Sequence, residues 1–380
     1  MLYDLIVLGG GPAGYLAAER AGHADFKVAL IEERNLGGVC LNEGCIPTKT
    51  MLYSAKLFDG VKYGEKYGVK ATDLIIDHAT VIKRKNKVVK ILVAGVKAQM
   101  KASRVTTYSG RGKILDKLED SFVVGVGEDT IKGKRVLIAT GSSPAMAPIK
   151  GLTQGIENRF VLTNREVLDL DTKPSSLCVI GGGIIGLEIA SYFNSIGSQV
   201  TVIEMLDHIA GENDQELVSI LKADMEKKGI RFELNAKVTA FEKNAVLFEQ
   251  QTSRRVEAEK VLLSIGRRPN TENIGLEALE IILRNGSIVT DNQMLTNVPH
   301  VYAAGDVNGK SMLAHTAYRE AEVAVNTMLG IKDSMNYQAI PSVIYTNPEL
   351  SSVGESELTA SQKNLNYKTV KLPMNYSGRY

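Results

Sequence analysis

A short, unbroken apolar run that leads into a glycine-rich turn occurs twice along the chain. Residues 5–8 read LIVL and lead into Gly9, and residues 178–180 read CVI and lead into Gly181. Runs of this kind are typical of strands in a parallel sheet, because helices cover both faces of such a sheet. A stretch of helical character and a second apolar run follow in each copy. The pattern therefore predicts two strand–turn–helix–strand units in an α/β protein.

Both units carry the glycine spacing G-x-G-x-x-G and an acid at the end of the second strand. The residues concerned are Gly9, Gly11, Gly14 and Glu32 in the first copy, and Gly181, Gly183, Gly186 and Glu204 in the second. The first glycine permits a tight turn, the second lets the backbone approach a pyrophosphate, and the third lets the helix pack on the strand. The helix N-terminus offers N–H groups to phosphates, and the acid accepts hydrogen bonds from a ribose. We predict a dinucleotide site at each copy; a glycine turn that binds nothing is the alternative.

The second acid also favours one nicotinamide nucleotide over the other. Glu204 would repel the 2′-phosphate of NADP(H), and residues 205–211 contain no Arg or Lys that could hold that phosphate. We therefore expect NAD(H) at the second site.

Further apolar runs that end in glycine indicate how the domains are connected. Residues 136–142 and 261–270 echo each other, and each would carry the chain between one dinucleotide domain and the rest of the protein. A third run ends in Gly305 and Asp306, whose carboxylate suits a ligand hydroxyl, although a turn aspartate is the alternative. The expected domain limits are 1–145 for the first domain, 146–270 for an inserted second domain, 271–340 for the return to the first, and 341–380 for the start of another.

Composition excludes several classes of protein. Apolar residues make up 44% of the chain, charged residues 23%, and the net charge is +2, which suggests neither nucleic acid nor a membrane as a partner. No signal peptide is recognisable at the start. There are only three cysteines, too few for a secreted disulfide scaffold, so a cytoplasmic protein is expected.

Two of the cysteines, Cys40 and Cys45, lie five positions apart beside glycines and shortly after the first fingerprint. Pro47 suits the first turn of a helix, which would place Cys45 near a helix N-terminus, where the dipole favours a thiolate. Lys49 would then share its helix face. We interpret the pair as a redox-active disulfide; two buried cysteines that never pair are the alternative. No metal is expected, because no His accompanies the pair, and Cys178 is expected in the core.

A flavin would connect the disulfide to a nicotinamide. Nicotinamide carries a hydride, whereas a disulfide accepts two electrons only through thiolate attack. A flavin takes part in both kinds of chemistry, so we expect it at the first dinucleotide site, directly upstream of the cysteines.

The chain resembles the flavoprotein disulfide reductases, and within them most closely the branch that acts on lipoamide. The resemblance runs from about Leu2 to the C-terminus and rests on both fingerprints with their acids and on these further segments: 38–47 (GVCLNEGCIP), 139–141 (ATG), 266–270 (GRRPN), 304–306 (AGD) and 312–315 (MLAH). It implies two Rossmann-like dinucleotide-binding domains, for FAD and NAD, with the NAD domain inserted in the FAD domain, plus the start of an α+β interface domain.

The resemblance also implies a role for each matching residue. FAD would bind at Gly9, Gly11, Gly14, Glu32, Gly37, Gly38, Lys49, Gly112, Thr140, Gly141, Ser142 and Asp306, with the backbone of Met312, Leu313, Ala314 and His315 stabilising charge on the reduced ring. NAD would bind at Gly181, Gly183, Gly186, Glu188, Glu204, Val238 and Gly266. Cys40 would be the interchange thiol that meets the substrate, Cys45 the thiol nearest the flavin, and Lys49 and Glu188 an ion pair beside it. The implied reaction converts dihydrolipoamide and NAD⁺ to lipoamide and NADH, and the implied partners are the lipoyl domain of a 2-oxo acid dehydrogenase complex and a second copy of the chain.

One part of the family pattern is not found in these residues. The family carries a His-Pro pair whose His is the acid–base of thiol exchange, yet none of the five His here precedes Pro and none lies beyond His315. We expect the chain to be about a hundred residues short of the family pattern, to oxidise dihydrolipoamide weakly, and to keep NADH-to-acceptor activity. Two other hypotheses stay open: the chain is a mercuric, glutathione or coenzyme A type reductase of the same superfamily, or it is a non-enzymatic nucleotide-binding module.

Overall fold

The computed structural model describes residues 1–378, and two five-stranded parallel sheets form its framework. The first sheet contains, in spatial order, Val301–Ala303, Val136–Ile138, Leu5–Leu8, Val28–Glu32 and Thr106–Ser109. The second contains Val161–Leu162, Lys260–Leu263, Ser176–Ile180, Gln199–Ile203 and Arg231–Glu233. All four residues of Leu5–Leu8 are buried, as expected for a strand covered on both faces.

Smaller sheets flank this framework. One four-stranded sheet contains Leu2–Tyr3, Asp129–Gly133, Phe122–Val126 and Gly112–Lys117, and one antiparallel sheet contains Lys237–Glu242, Ala245–Gln250 and Thr252–Glu257. The two-stranded pairs are Ser142–Pro144 with Arg267–Pro269, Leu283–Arg284 with Ser287–Ile288, and Ser342–Ile344 with Leu350–Ser352.

The helices Pro12–His23 and Ile184–Ser195 follow the two glycine turns and pack on the two parallel sheets. The α-helices are Pro12–His23, Gly38–Glu43, Cys45–Lys62, His78–Ala102, Leu152–Glu157, Asn164–Val167, Ile184–Ser195, Gln215–Lys227, Ala314–Met328 and Glu357–Gln362. Short 3₁₀ turns occur at Gly64–Tyr67, Leu276–Leu279, Asp306–Asn308 and Met374–Tyr376. None of the helices among residues 1–378 has the length and apolar character needed to cross a bilayer.

The connectivity confirms the expected insertion of one nucleotide-binding domain in the other. In the sequence, four strands of the first sheet precede all the strands of the second sheet, and the fifth, Val301–Ala303, follows them. The two crossing segments predicted from their glycines meet as the antiparallel pair Ser142–Pro144 and Arg267–Pro269. The fold class is therefore as expected, whereas the domain limits at 145, 270 and 340 stay predictions.

The helix Cys45–Lys62 packs against the second parallel sheet and its helix Ile184–Ser195. Met51 and Leu52 on this helix are buried in one apolar cluster with Val179 of that sheet and Leu187 of that helix. Complete burial of such side chains stabilises the arrangement by about 1.5–3 kcal/mol each. The cysteine helix is therefore anchored against the unit that contains the second parallel sheet. Cys178 is fully buried in its strand, which confirms that it is a core residue.

Candidate redox site between two nucleotide turns

One continuous cavity of about 2060 Å³ lies between the two parallel sheets. Its wall includes both glycine turns, both cysteines and the start of the helix Ala314–Met328. A volume of this size exceeds that of an ordinary small-ligand pocket, which spans roughly 300–1,000 Å³. The cavity is therefore large enough to join several sites.

The two glycine turns have nearly the same geometry. Gly9 and Gly181 stand at φ of 102° and 103°, in the left-handed region that glycine tolerates and other residues avoid. The helices that follow are N-capped by Gly11 and Gly183, neither of which makes a side-chain cap hydrogen bond. Each helix therefore presents its first N–H groups to the cavity, where they can bind an anion.

The two acids are also held in the same way. The carboxylate of Glu32 accepts hydrogen bonds from the N–H groups of Gly10 and Arg34, both at 2.7 Å. The carboxylate of Glu204 accepts from Gly182 at 2.6 Å and from Leu206 at 2.8 Å. Each carboxylate is thereby fixed at the end of its strand and keeps lone pairs for ribose hydroxyls.

Three glycines expected to bind cofactor do not line the cavity: Gly14, Gly37 and Gly186. A Cβ on Gly14 would lie 1.8 Å from the carbonyl oxygen of Gly9, and one on Gly186 would lie 2.2 Å from that of Gly181. These two glycines let each helix pack on its own strand. Gly37 caps the helix Gly38–Glu43 and donates its N–H to Gly10 O at 2.8 Å, which ties the cysteine segment to the first turn.

Cys40 and Cys45 form a disulfide whose Cα atoms are 4.7 Å apart. Cys45 is the first residue of the helix Cys45–Lys62, as Pro47 in its first turn predicted. The N-cap, Gly44, makes no side-chain cap hydrogen bond, so the positive end of the helix dipole acts directly on the sulfur. The disulfide lines the same cavity as both nucleotide turns.

Lys49 and Glu188 meet across the cavity although they are 139 positions apart. The Lys49 ammonium donates to both carboxylate oxygens of Glu188, at 2.9 and 2.8 Å. The Glu188 side chain is only 4% exposed, and that of Lys49 is 34% exposed. The pair therefore joins the cysteine helix to the helix of the second fingerprint.

Asp306 belongs to a small polar network that sequence reasoning missed in part. Ser142 donates its hydroxyl to the Asp306 carboxylate at 2.5 Å, and Arg267 donates Nε–H to the Ser142 hydroxyl at 2.7 Å. Burial lowers the pKa of the Arg267 guanidinium, and the nearby Asp306 carboxylate opposes that shift. Thr140 and Asn270 likewise exchange two hydrogen bonds, at 2.7 and 2.9 Å. Arg267 and Asn270 lie in the GRRPN segment, but the neighbouring sequence does not indicate that they contact Ser142 and Thr140.

The segment 312–315 lies at the cavity and leads into the helix Ala314–Met328, as expected. The His315 ring donates from Nε2 to the carbonyl oxygen of Pro341 at 2.8 Å. Tyr345, also missed from sequence, follows a few residues later and lines the same cavity. The other expected site residues at the cavity are Gly38, Gly112, Gly141, Val238 and Gly266.

The residues present fit two dinucleotides. Both helix N-termini are free of side-chain caps, and a Cβ on Gly183 would meet no atom within 4 Å, so the turn leaves room for a pyrophosphate. Thr140, Ser142 and Asp306 line the same cavity; the two hydroxyl protons are used within the protein, so these side chains offer oxygen lone pairs to a ligand. Within residues 1–378 no group of three or more His, Cys, Asp or Glu could hold a metal ion.

Comparison with known proteins agrees with this geometry. Residues 3–321 match the pyridine nucleotide-disulphide oxidoreductase model, and residues 340–380 match the dimerisation domain of the same family. The chain is 38% identical to a dihydrolipoyl dehydrogenase of Chlamydia muridarum, over 99% of this chain and 81% of that protein. It is 41% identical to one of Acholeplasma laidlawii, over 88% of this chain and 99% of that protein. The crystal structure of LpdA from Mycobacterium tuberculosis superposes with a TM-score of 0.89 at 27% identity, over 99% of this chain and 83% of LpdA.

The chain therefore belongs to the pyridine nucleotide-disulphide oxidoreductase family, enzymes that use FAD and NAD(H). Within that family its relatives place it with the dihydrolipoyl dehydrogenases.

Proposed function

We propose that the chain oxidises dihydrolipoamide and reduces NAD⁺ through the disulfide Cys40–Cys45, with FAD at the first glycine turn and NAD at the second. The observation that carries the proposal is the position of the disulfide in one cavity with both uncapped helix N-termini and the Lys49–Glu188 pair. FAD, when bound, carries the electron pair between the dithiol and the nicotinamide.

The two sulfurs have different tasks in this proposal. Cys40 exchanges with the substrate: a substrate thiolate attacks its sulfur, the Cys40–Cys45 bond breaks, and Cys45 leaves as a thiolate. Attack by the second substrate thiol on the mixed disulfide then releases lipoamide and leaves both cysteines reduced. The helix dipole at Cys45 stabilises the leaving thiolate, and the ammonium of Lys49 adds positive charge on the same helix.

Glu188 has a different role from the cysteines. It holds the Lys49 ammonium through both carboxylate oxygens, so the positive charge stays at one place in the cavity. A lysine ammonium without such a partner would sample many rotamers. The pair thereby fixes the electrostatic field in which hydride transfer takes place.

The proposed partners follow from the family. The relatives and the dimerisation region support a homodimer that accepts a lipoyl group of a 2-oxo acid dehydrogenase complex. A cytoplasmic location is part of the same proposal. These 380 residues contain no His-Pro pair, so we infer that they turn over lipoamide slowly while reducing artificial acceptors from NADH.

Anaerobic titration of the purified chain with NADH, followed by a panel of oxidised substrates, tests the proposal. We expect NADH to change the flavin absorbance spectrum as the electron pair passes to the disulfide, and lipoamide to react faster than glutathione disulfide, coenzyme A disulfide or mercuric ion. Imidazole in the buffer should raise the lipoamide rate and leave the artificial-acceptor rate unchanged, because it supplies the acid–base. A preference for another acceptor would overturn the substrate assignment. A purified chain without bound flavin would favour the hypothesis of a non-enzymatic nucleotide-binding module.

A further inference from the structure

The segment that begins the dimerisation region touches the redox site of its own chain. His315 donates to Pro341 O at 2.8 Å, and the N–H of Tyr345 donates to Glu188 Oε1 at 3.0 Å. Between these two points Ile344 is fully buried in the cluster that also contains Leu187. The segment is thus fastened at one end to the helix Ala314–Met328 and at the other to the Lys49–Glu188 pair.

Tyr345 contacts both members of that pair. Its backbone holds Glu188, and its ring lies beneath the Lys49 ammonium, with Nζ 4.7 Å from the ring centroid. An aromatic face within about 6 Å of an ammonium attracts it electrostatically, and more strongly where water is displaced. The ammonium of Lys49 therefore has carboxylate oxygens and an aromatic face as neighbours.

We infer that Tyr345 is a positioning residue of the redox site, which holds the Lys49–Glu188 pair in one arrangement and shields one side of the Lys49 ammonium from solvent. The backbone contact would survive any ordinary substitution at residue 345, whereas the ring contact depends on the side chain. The ring is also the part that narrows the choice of Lys49 rotamers. The expected effect on the rate of disulfide reduction rests on the proposed function, whereas the contact between Tyr345 and Lys49 does not depend on it.

The experiment compares Tyr345→Leu and Tyr345→Phe with the wild-type chain and with the control Tyr67→Leu. Leucine keeps apolar bulk but removes the aromatic face, and phenylalanine keeps the face and removes the hydroxyl. Tyr67 is a matched control because Lys66 Nζ also lies 4.7 Å from its ring centroid, on a surface that does not line the cavity.

The first readout is the rate at which acetic anhydride acylates Lys49 in the native protein, measured by peptide mass spectrometry. Loss of a cation–π contact should raise this rate about two- to thirtyfold in Tyr345→Leu, and Tyr345→Phe should stay within about twofold of wild type. Tyr67→Leu should change the labelling of Lys66 and leave Lys49 unaffected.

The second readout is the rate constant for reduction of the disulfide by NADH. Tyr345→Leu should lower it by a comparable factor, and Tyr345→Phe should restore it. Unchanged Lys49 labelling in Tyr345→Leu would overturn the inference, and so would faster labelling with an unchanged reduction rate. A wild-type chain that NADH fails to reduce would instead defeat the proposed function, and the labelling comparison would then decide whether Tyr345 shields Lys49.

Discussion

Lys49 and Glu188 form an ion pair in which one partner is nearly buried and the other reaches solvent. Their side chains are 34% and 4% exposed, and the pair bridges the cysteine helix and the second nucleotide helix. Removal of Lys49 would leave the buried Glu188 carboxylate without a cation, which costs a large part of the folding free energy. Removal of Glu188 would cost far less, because the Lys49 ammonium can turn toward water.

Removal of Lys49 should therefore destabilise the fold more than removal of Glu188. We expect Lys49→Met to lower the free energy of unfolding by about 2–3 kcal/mol, below the range for fully buried pairs because Lys49 is partly exposed. Glu188→Gln should lower it by less, since Gln keeps an acceptor for the Tyr345 N–H. Urea unfolding of the two variants measures the difference, and equal losses would contradict the asymmetry.

The glycines of the second fingerprint should separate folding from nucleotide binding. Gly186→Ala would place a Cβ 2.2 Å from Gly181 O and 2.8 Å from Ser264 Oγ, so we expect a loss of about 2–3 kcal/mol in the free energy of unfolding. Gly183→Ala meets no atom within 4 Å and has an ordinary φ of −76°, so its stability should change little while its affinity for NADH falls. Thermal unfolding and NADH titration of both variants check this; a stable Gly186→Ala would contradict the packing role.

The two acids should affect different nucleotides. Glu204→Ala is expected to weaken NADH binding and to narrow the preference for NADH over NADPH, because the repulsion of a 2′-phosphate is removed. Glu32→Ala should instead lower flavin retention and leave the nicotinamide preference as it is. Binding constants for both reduced nucleotides and the flavin content of each variant provide the measurement. A changed nicotinamide preference in Glu32→Ala would contradict the assignment of the two turns.

His78 should make stability depend on pH below neutrality. Its ring donates to Leu170 O at 2.9 Å and accepts from the Tyr192 hydroxyl at 2.8 Å, in the neutral tautomer that satisfies both partners. Burial lowers the pKa of His78 below its ordinary value of 6.5, and the carbonyl of Leu170 opposes that shift. The unfolded chain therefore binds the proton more readily, so the free energy of unfolding should fall as pH drops through 6.5.

The difference in unfolding free energy between the wild-type chain and His78→Gln isolates this effect. This difference should be constant above about pH 7 and shrink toward pH 5, because only the wild type has a group at residue 78 whose protonation favours the unfolded chain. His208→Gln is the control, as its ring lies at the surface beside Asp207. A pH-independent difference for His78→Gln would show that His78 does not titrate between the folded and unfolded states.

What the sequence predicted well is what neighbouring residues determine. The turn at Gly9, the start of a helix at Cys45 and the acid at Glu204 each depend on a few positions nearby, so their spacing was informative. The network of Arg267 with Ser142 spans 125 positions, and the contact of Tyr345 with Glu188 spans 157, so no local pattern indicated them. Glycines were a special case: the spacing itself predicted that Gly14 and Gly186 let helix and strand pack, and the structure adds that neither of them lines the cavity.

The most direct test of the account is a count of thiols before and after reduction by NADH. Alkylation of the denatured protein should find one thiol in the oxidised chain, that of Cys178, and three after anaerobic addition of NADH. Cys40→Ser and Cys45→Ser should show two thiols under both conditions, and Cys178→Ser should go from none to two. A wild-type count that NADH leaves unchanged would contradict the claim that electrons pass between the nucleotide sites and the Cys40–Cys45 disulfide.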